Sequence, residues 1–164
     1  MTLQKITPCL WFDDQAEAAA KFYVSIFKNS KMGRISRYGE AGRDVHKRLP
    51  GSVMTVEFEL DGQMFLALNG GPLFKFNEAI SLMIDCKTQA DVDYYWDKLS
   101  EGGDQSAQQC GWLKDKFGLS WQVVPTMLPE MVGDPKSEKS QRAMAAMMEM
   151  KKIDIAALQR AYGG

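Results

Sequence analysis

Alternation of apolar and polar residues marks most of the strands in this chain. In residues 4–12, Pro8, Leu10 and Phe12 fall on one face and Thr7, Cys9 and Trp11 on the other. Pro8 makes the start of that strand an edge or an irregular entry, because proline cannot donate to a ladder. A short strand follows at residues 33–39. Two more, residues 52–60 and 63–69, are joined at Asp61-Gly62, a two-residue hairpin signal. Residues 79–86 set Ile80, Leu82 and Ile84 against Ser81, Met83 and Asp85. Residues 110–125 read as a last hairpin around the turn Asp115-Lys116-Phe117-Gly118, where Asp can bond the backbone ahead and Gly tolerates positive φ. Its outgoing arm opposes Leu119, Trp121 and Val123 to Ser120, Gln122 and Val124, and Pro125 ends it.

Helical spacing appears between these strands. Ala16, Ala19, Ala20, Tyr23 and Phe27 recur after the acidic pair Asp13-Asp14, which suits a helix N-terminus. Val92, Tyr95, Trp96 and Leu99 recur after Thr88, a plausible N-cap, and Gly102-Gly103 closes that helix. The next strand is short or lost in QSAQQ. The chain therefore reads as strand-helix-strand-strand-strand written twice, over residues 1–72 and 73–127. Residues 128–164 carry no strand signal. There Asp134-Pro135 starts a helix with Ala143, Met147 and Met150 in line, as are Met144 and Met148, and Asp154 caps a last short helix. This helical tail either packs on its own chain or supplies part of an interface with a second copy.

Composition narrows the function classes. A chain of 164 residues with net charge −1 is most simply one domain, and its charge invites neither nucleic acid nor an anionic membrane. No apolar run approaches the roughly 18 residues of a membrane span, and the N-terminal residues are too polar for a secretory signal. Cys9, Cys86 and Cys110 are odd in number and widely spaced, which suits free thiols in a reducing cytoplasm. The single histidine, His46, lies in the polar loop 40–51 and is expected to be solvated. Asn69-Gly70-Gly71-Pro72 follows a strand but opens no helix, so no phosphate-binding loop is expected there, and no cofactor is expected.

The spacing Asp115, Gly118, Gln122 resembles the last-hairpin signature of the vicinal oxygen chelate superfamily, in which a metal-binding Glu stands where this chain has Gln122. The segments WFDDQAEAAAKFY, ALNGGP, DVDYYWDKLSEGG and CGWLKDKFGLSWQVVP together resemble its PhnB-like subfamily, over essentially the whole chain, tail included. Members often carry the label 3-demethylubiquinone-9 3-methyltransferase. The resemblance implies an α+β fold, two βαβββ modules forming an incomplete eight-stranded barrel, and a homodimer. The positions matching the superfamily's metal ligands are Thr7, Ala67 (or Asn69 in a slipped register), Ser81 and Gln122. Only Gln122 is a plausible donor there, so no metal is expected. Cys9, Trp11, Phe65, Met83 and Gln122 are expected to project from the concave strand faces as an apolar cup with few polar points. The candidate ligand-binding set is thus Thr7, Cys9, Trp11, Phe65, Asn69, Ser81, Met83 and Gln122. The leading reading is a metal-independent protein that binds a small organic molecule. Its rivals are an enzyme acting on a quinone-like or natural-product molecule, with Asp85, Cys9 or Cys110 as reacting groups, and a purely structural dimer with a filled barrel.

Overall fold

Strand β1 is only Cys9–Phe12, shorter than the alternation in residues 4–12 predicts. Pro8 has no N–H to give and contributes only its carbonyl, which accepts from the Leu66 N–H at 3.0 Å. The computed structural model describes residues 4–164, so the part of the first module that falls on residues 1–3 lies outside the described residues. The chain divides into two compact units, one ending at Phe76 and the other running from Asn77 to Gly164.

In the first unit, β1 is followed by helix α1 (Ala16–Ile26), β2 (Lys31–Arg37), a single helical turn α2 (Arg43–His46), β3 (Val53–Leu60) and β4 (Gln63–Asn69). The sheet order is β1-β4-β3-β2, with β1 parallel to β4 and the other pairs antiparallel. Asp61 and Gly62 both take positive φ, 45° and 83°, as the expected two-residue turn requires. One face of the sheet packs on α1. Leu10, Phe12, Val56, Phe58, Leu60 and Ala67 are buried with Ala16, Ala19, Ala20, Tyr23 and Ile26 of the helix. The rings stack in series, Tyr23 on Phe58 at 6.2 Å and Phe58 on Phe65 at 5.4 Å.

Asp13-Asp14 do not cap α1. The residue at its N-cap is Gln15, whose side chain makes no capping bond. Instead Asn69 reaches across from β4 and accepts from the Ala16 N–H at 2.8 Å. A tertiary contact satisfies the helix end that local sequence was expected to satisfy. His46 is not simply solvated: its ring lies 4.5 Å from that of Tyr38, and its Nδ1 accepts from the Arg48 N–H at 3.0 Å.

The second unit contains β5 (Leu82–Cys86), α3 (Gln89–Ser100), β6 (Trp112–Lys114) and β7 (Ser120–Pro125), in sheet order β5-β7-β6. Thr88 caps α3 in a full capping box with Asp91. Trp121 and Val123 are buried on the face with α3, as the alternation predicts, and Leu113 is buried beside its register partner Trp121. Asp115 holds the hairpin turn: its Oδ1 accepts from the N–H of Phe117 (2.8 Å) and of Leu119 (3.1 Å), and its Oδ2 from the Trp121 indole N–H (2.8 Å). Ile80 precedes the strand and is exposed. The QSAQQ segment forms a 3₁₀ turn, Gln105–Ala107, and one isolated bridge from Gln109 to Trp112. The described residues thus hold seven strands, four and three, and neither sheet closes on itself. The fold is α+β with a C-terminal helical segment.

That segment comprises α4 (Leu128–Val132), α5 (Glu138–Met148) and α6 (Ile155–Gly163). Asp154 caps α6 as expected, accepting from the Ala157 N–H at 2.9 Å. Pro135 does not start α5. Ser137 caps it, and the proline at a helix start is Pro129 of α4. The tail packs on its own unit. The carbonyls of Met150 and Lys151 accept from the N–H groups of Cys110 and Gly111, each at 2.8 Å. Gln89 clamps the chain ahead of α6, donating to the Ile153 carbonyl (3.1 Å) and accepting from the Ile155 N–H (2.8 Å). Leu128, Met131, Ile153 and Leu158 form one buried cluster, with Val124, Met147 and Met150 against it. Burial of side chains like these is worth about 1.5–3 kcal/mol each before ordering costs. No helix among the described residues is long and apolar enough to cross a membrane.

Candidate functional site

In the first unit the face turned away from α1 carries the candidate chemistry, and strand register defines it. Cys9 stands beside Leu66, and Leu66 beside Glu57. In the next row Trp11, Leu68, Thr55 and Ser36 stand side by side. The face therefore grades from a thiol and an indole on β1, across two leucines on β4, to a carboxylate and two hydroxyls on β3 and β2.

Trp11 is fixed from three sides. Its indole N–H donates to the Gly71 carbonyl at 2.9 Å. Phe74 meets it edge-on with ring centroids 4.9 Å apart. The Gly70 backbone lies so close beneath that a Cβ there would sit 2.3 Å from the ring. This close approach is a physical reason for glycine after Asn69. Glu57 is nearly buried, its side chain 6% exposed, and Arg34 covers it with a side chain 78% exposed. The Ser36 and Thr55 hydroxyls are hydrogen-bonded to each other.

Phe65 and Asn69 do not share this face. Because Phe65 pairs with Phe58 and Asn69 with Phe12, both point to the α1 side, and the expected parity of β4 is corrected by one residue. Asn69 is spent on structure: besides capping α1, its Nδ2 donates to the Val53 carbonyl at 3.1 Å. Thr7 lies before β1, its hydroxyl donating to the Gln4 carbonyl at 3.0 Å. Cys9 is exposed, yet neighbouring protein atoms strip enough water from the thiol to raise its pKa.

In the second unit the face away from α3 brings Ser81, Met83 and Gln122 together. Met83 and Gln122 are register partners, and Gln122 Nε2 donates to Ser81 Oγ at 2.8 Å. Trp112 stands on the other side of Gln122. Lys114 and Glu78 form an ion pair nearby, and the hydrogen bond from Lys114 draws the Glu78 pKa down. Met83 is 66% exposed. Asp85 is exposed on β5. Cys110 is half-buried against the tail, its Sγ 3.5 Å from the Met147 carbonyl. Cys86 is buried, and lost hydration together with Asp91 and Asp85 pushes its thiol to about 12.

The donors at the positions matching the superfamily's metal ligands do not fit a transition metal. Ala67 has none and Asn69 is occupied, while the Ser81 hydroxyl and the Gln122 amide are neutral and engaged with each other. Among the described residues, no three His, Cys, Asp or Glu side chains are placed to hold an ion.

Sequence reasoning missed Glu57 and Arg34. The signal was present in TVEFEL, where Val56, Phe58 and Leu60 go to the helix and Thr55, Glu57 and Glu59 must go the other way.

Over residues 4–124 the sequence matches the family described as 3-demethylubiquinone-9 3-methyltransferase. A PhnB protein from Bacillus cereus, provisionally given that same description, has a solved structure with 36% sequence identity and a TM-score of 0.64. The match covers 74% of this chain and 99% of that one. The structure of protein PA1353 from Pseudomonas aeruginosa shares the fold at 18% identity and a TM-score of 0.57, covering 76% of this chain and 98% of that one. A lactoylglutathione lyase structure from Agrobacterium tumefaciens is more distant, at 18% identity and a TM-score of 0.43 over 78% of this chain and 98% of that one. No curated protein matches the sequence. The family match stops at residue 124, so the expected extension of the resemblance into the tail is corrected.

Proposed function

The chain belongs to the 3-demethylubiquinone-9 3-methyltransferase family, the PhnB-like branch of the vicinal oxygen chelate superfamily, and on that premise we propose that it binds a small organic molecule without the help of a transition metal. One observation carries this reading. On the first sheet's free face, Trp11, Leu66 and Leu68 present half-buried apolar surface beside the nearly buried Glu57. Apolar surface with a few placed polar groups is the usual character of a small-ligand site. Ser81, Met83 and Gln122 offer a second, smaller surface of the same kind.

The face supplies binding groups and little reactive chemistry. Cys9 holds its proton more firmly than an ordinary thiol, and a nucleophile would need the opposite. Methyl transfer is not part of the proposal. The strand-to-helix connections, Asp13-Asp14-Gln15 and Lys87-Thr88, contain no glycine with which to approach a nucleotide-like cofactor. The protein is further proposed to be a cytoplasmic homodimer, in keeping with three free thiols.

Native mass spectrometry of freshly purified protein tests the binding reading when followed by denaturing analysis of the released molecules. An organic species retained at a fixed ratio to the chain supports it. A protein that retains none and also fails to bind any member of a panel of one- and two-ring aromatic compounds contradicts it.

A further inference from the structure

We propose that Glu57 is the polar anchor of this site and that the ligand is an uncharged one- or two-ring molecule bearing a hydroxyl or amide N–H donor. The inference rests on the small-molecule reading above and specifies its chemistry. Both bonds from Arg34, Nε at 3.2 Å and Nη2 at 2.9 Å, fall on the same oxygen, Glu57 Oε1. A two-toothed guanidinium–carboxylate pair would use both oxygens. Here Oε2 accepts no hydrogen bond from any described residue, although the side chain is 6% exposed. Oε2 still has acceptor capacity, and it is not a sealed atom, since the Arg48 Nε is the one buried side-chain polar atom without a partner among the described residues. A donor on a ligand would meet it.

The charge is already balanced by Arg34, so the partner that fits is a neutral donor rather than a second cation. From Glu57 toward β1 the surface is Leu66 and Leu68, then Trp11 backed by Phe74. Strands β3 and β1 are two spacings apart, about 10 Å, which is the reach of a bicyclic ring. The hydroxyls of Thr55 and Ser36 border the same end.

Two probes with the same rings separate the anchor from simple apolar binding: 2-naphthol carries a donor and 2-methoxynaphthalene does not. Isothermal titration of wild type is expected to show 2-naphthol bound about tenfold more tightly, the scale of one charge-assisted hydrogen bond. In Glu57→Met the preference should fall to within about twofold, with the ether's affinity kept within about threefold, since the apolar surface is intact. Glu57→Gln, nearly isosteric, provides the answer if the Met variant does not fold, and should cut the preference at least about threefold. An unchanged preference in a folded Glu57 variant overturns the anchor. Equal binding of both probes to wild type also overturns it while leaving the small-molecule reading standing. If neither probe binds wild type, the anchor is overturned, and the small-molecule reading is decided separately by the retained-ligand and panel measurements.

Discussion

Gln122 of β7 donates its amide hydrogen to the hydroxyl of Ser81, the residue just ahead of β5, at 2.8 Å. The contact joins two positions that the sequence resemblance sets against metal ligands and gives each a neutral partner. Replacing one of them with a carboxylate should therefore not create a metal site. In Gln122→Glu, elemental analysis of protein purified without metal-affinity resin is expected to find less than about 0.1 equivalent of zinc, nickel or iron, because a four-coordinate site needs at least three protein donors. Close to one equivalent in this variant would show that other residues complete a site.

Asp115 organises the hairpin through one buried carboxylate. Asp115→Ala leaves two backbone N–H groups and the Trp121 indole N–H without this acceptor in a buried turn. Urea denaturation should show a loss of about 3 kcal/mol or more, with Asp115→Asn falling between it and wild type because one oxygen survives. A loss below about 1 kcal/mol for the alanine variant would mean that water replaces the carboxylate.

Docking of the tail has a pH signature. Lys152 bridges from the tail to Asp93 (3.0 Å) and Asp97 (3.7 Å) on α3. Hydrogen bonds from Gln89 and Lys152 lower the Asp93 pKa, and the bond to Asp93 raises that of Lys152. A depressed carboxylate contributes stability above its unfolded pKa, lost as pH falls through the folded value. A raised lysine contributes below its unfolded pKa, lost as pH rises through the folded value. Hydrogen exchange at the Ile155 amide, which donates to Gln89, should thus be slowest, after correction for intrinsic rates, between those limits, and should accelerate in acid below the ordinary carboxylate range. Lys152→Met should make the acid limb shallower without abolishing it, because the Gln89 bond to Asp93 remains. An unaltered limb in that variant would remove the ion pair from the account.

The three thiols should separate by accessibility. Cys9 is exposed, Cys110 half-buried and Cys86 buried with its pKa near 12. With a disulfide reagent at pH 8, Cys9 is expected to react first and Cys86 only after denaturation, since the thiolate is the reacting form. Prompt labelling of Cys86 in native protein would contradict its placement under α3.

Much of the fold was legible because its signals are local. Asp61-Gly62, the cap Thr88, Asp115 with Gly118, and Asp154 each act within a few residues, and each stands where the sequence places it. Most of what escaped is tertiary. Nothing near Asp13-Asp14 says that Asn69, 53 residues beyond Ala16, will cap α1. One miss is local: residues 134–135 look like a helix start, yet Ser137 takes that role by accepting from the Ser140 N–H. Parity on β4 was misread because Met64 and Phe65 are both apolar and both buried, so alternation alone cannot choose between them. The hairpin turn does choose, by setting Phe65 opposite Phe58. The same step places Glu57 on the free face.

Chemical-shift mapping of the isotope-labelled protein during titration with 2-naphthol tests the central claim most directly. The account predicts saturable shifts at the Trp11 indole N–H and at the backbone amides of Leu66, Leu68 and Glu57, with the buried α1 residues Ala19 and Tyr23 unmoved. Saturable shifts confined to other parts of the chain, or none at all up to millimolar probe, would contradict it.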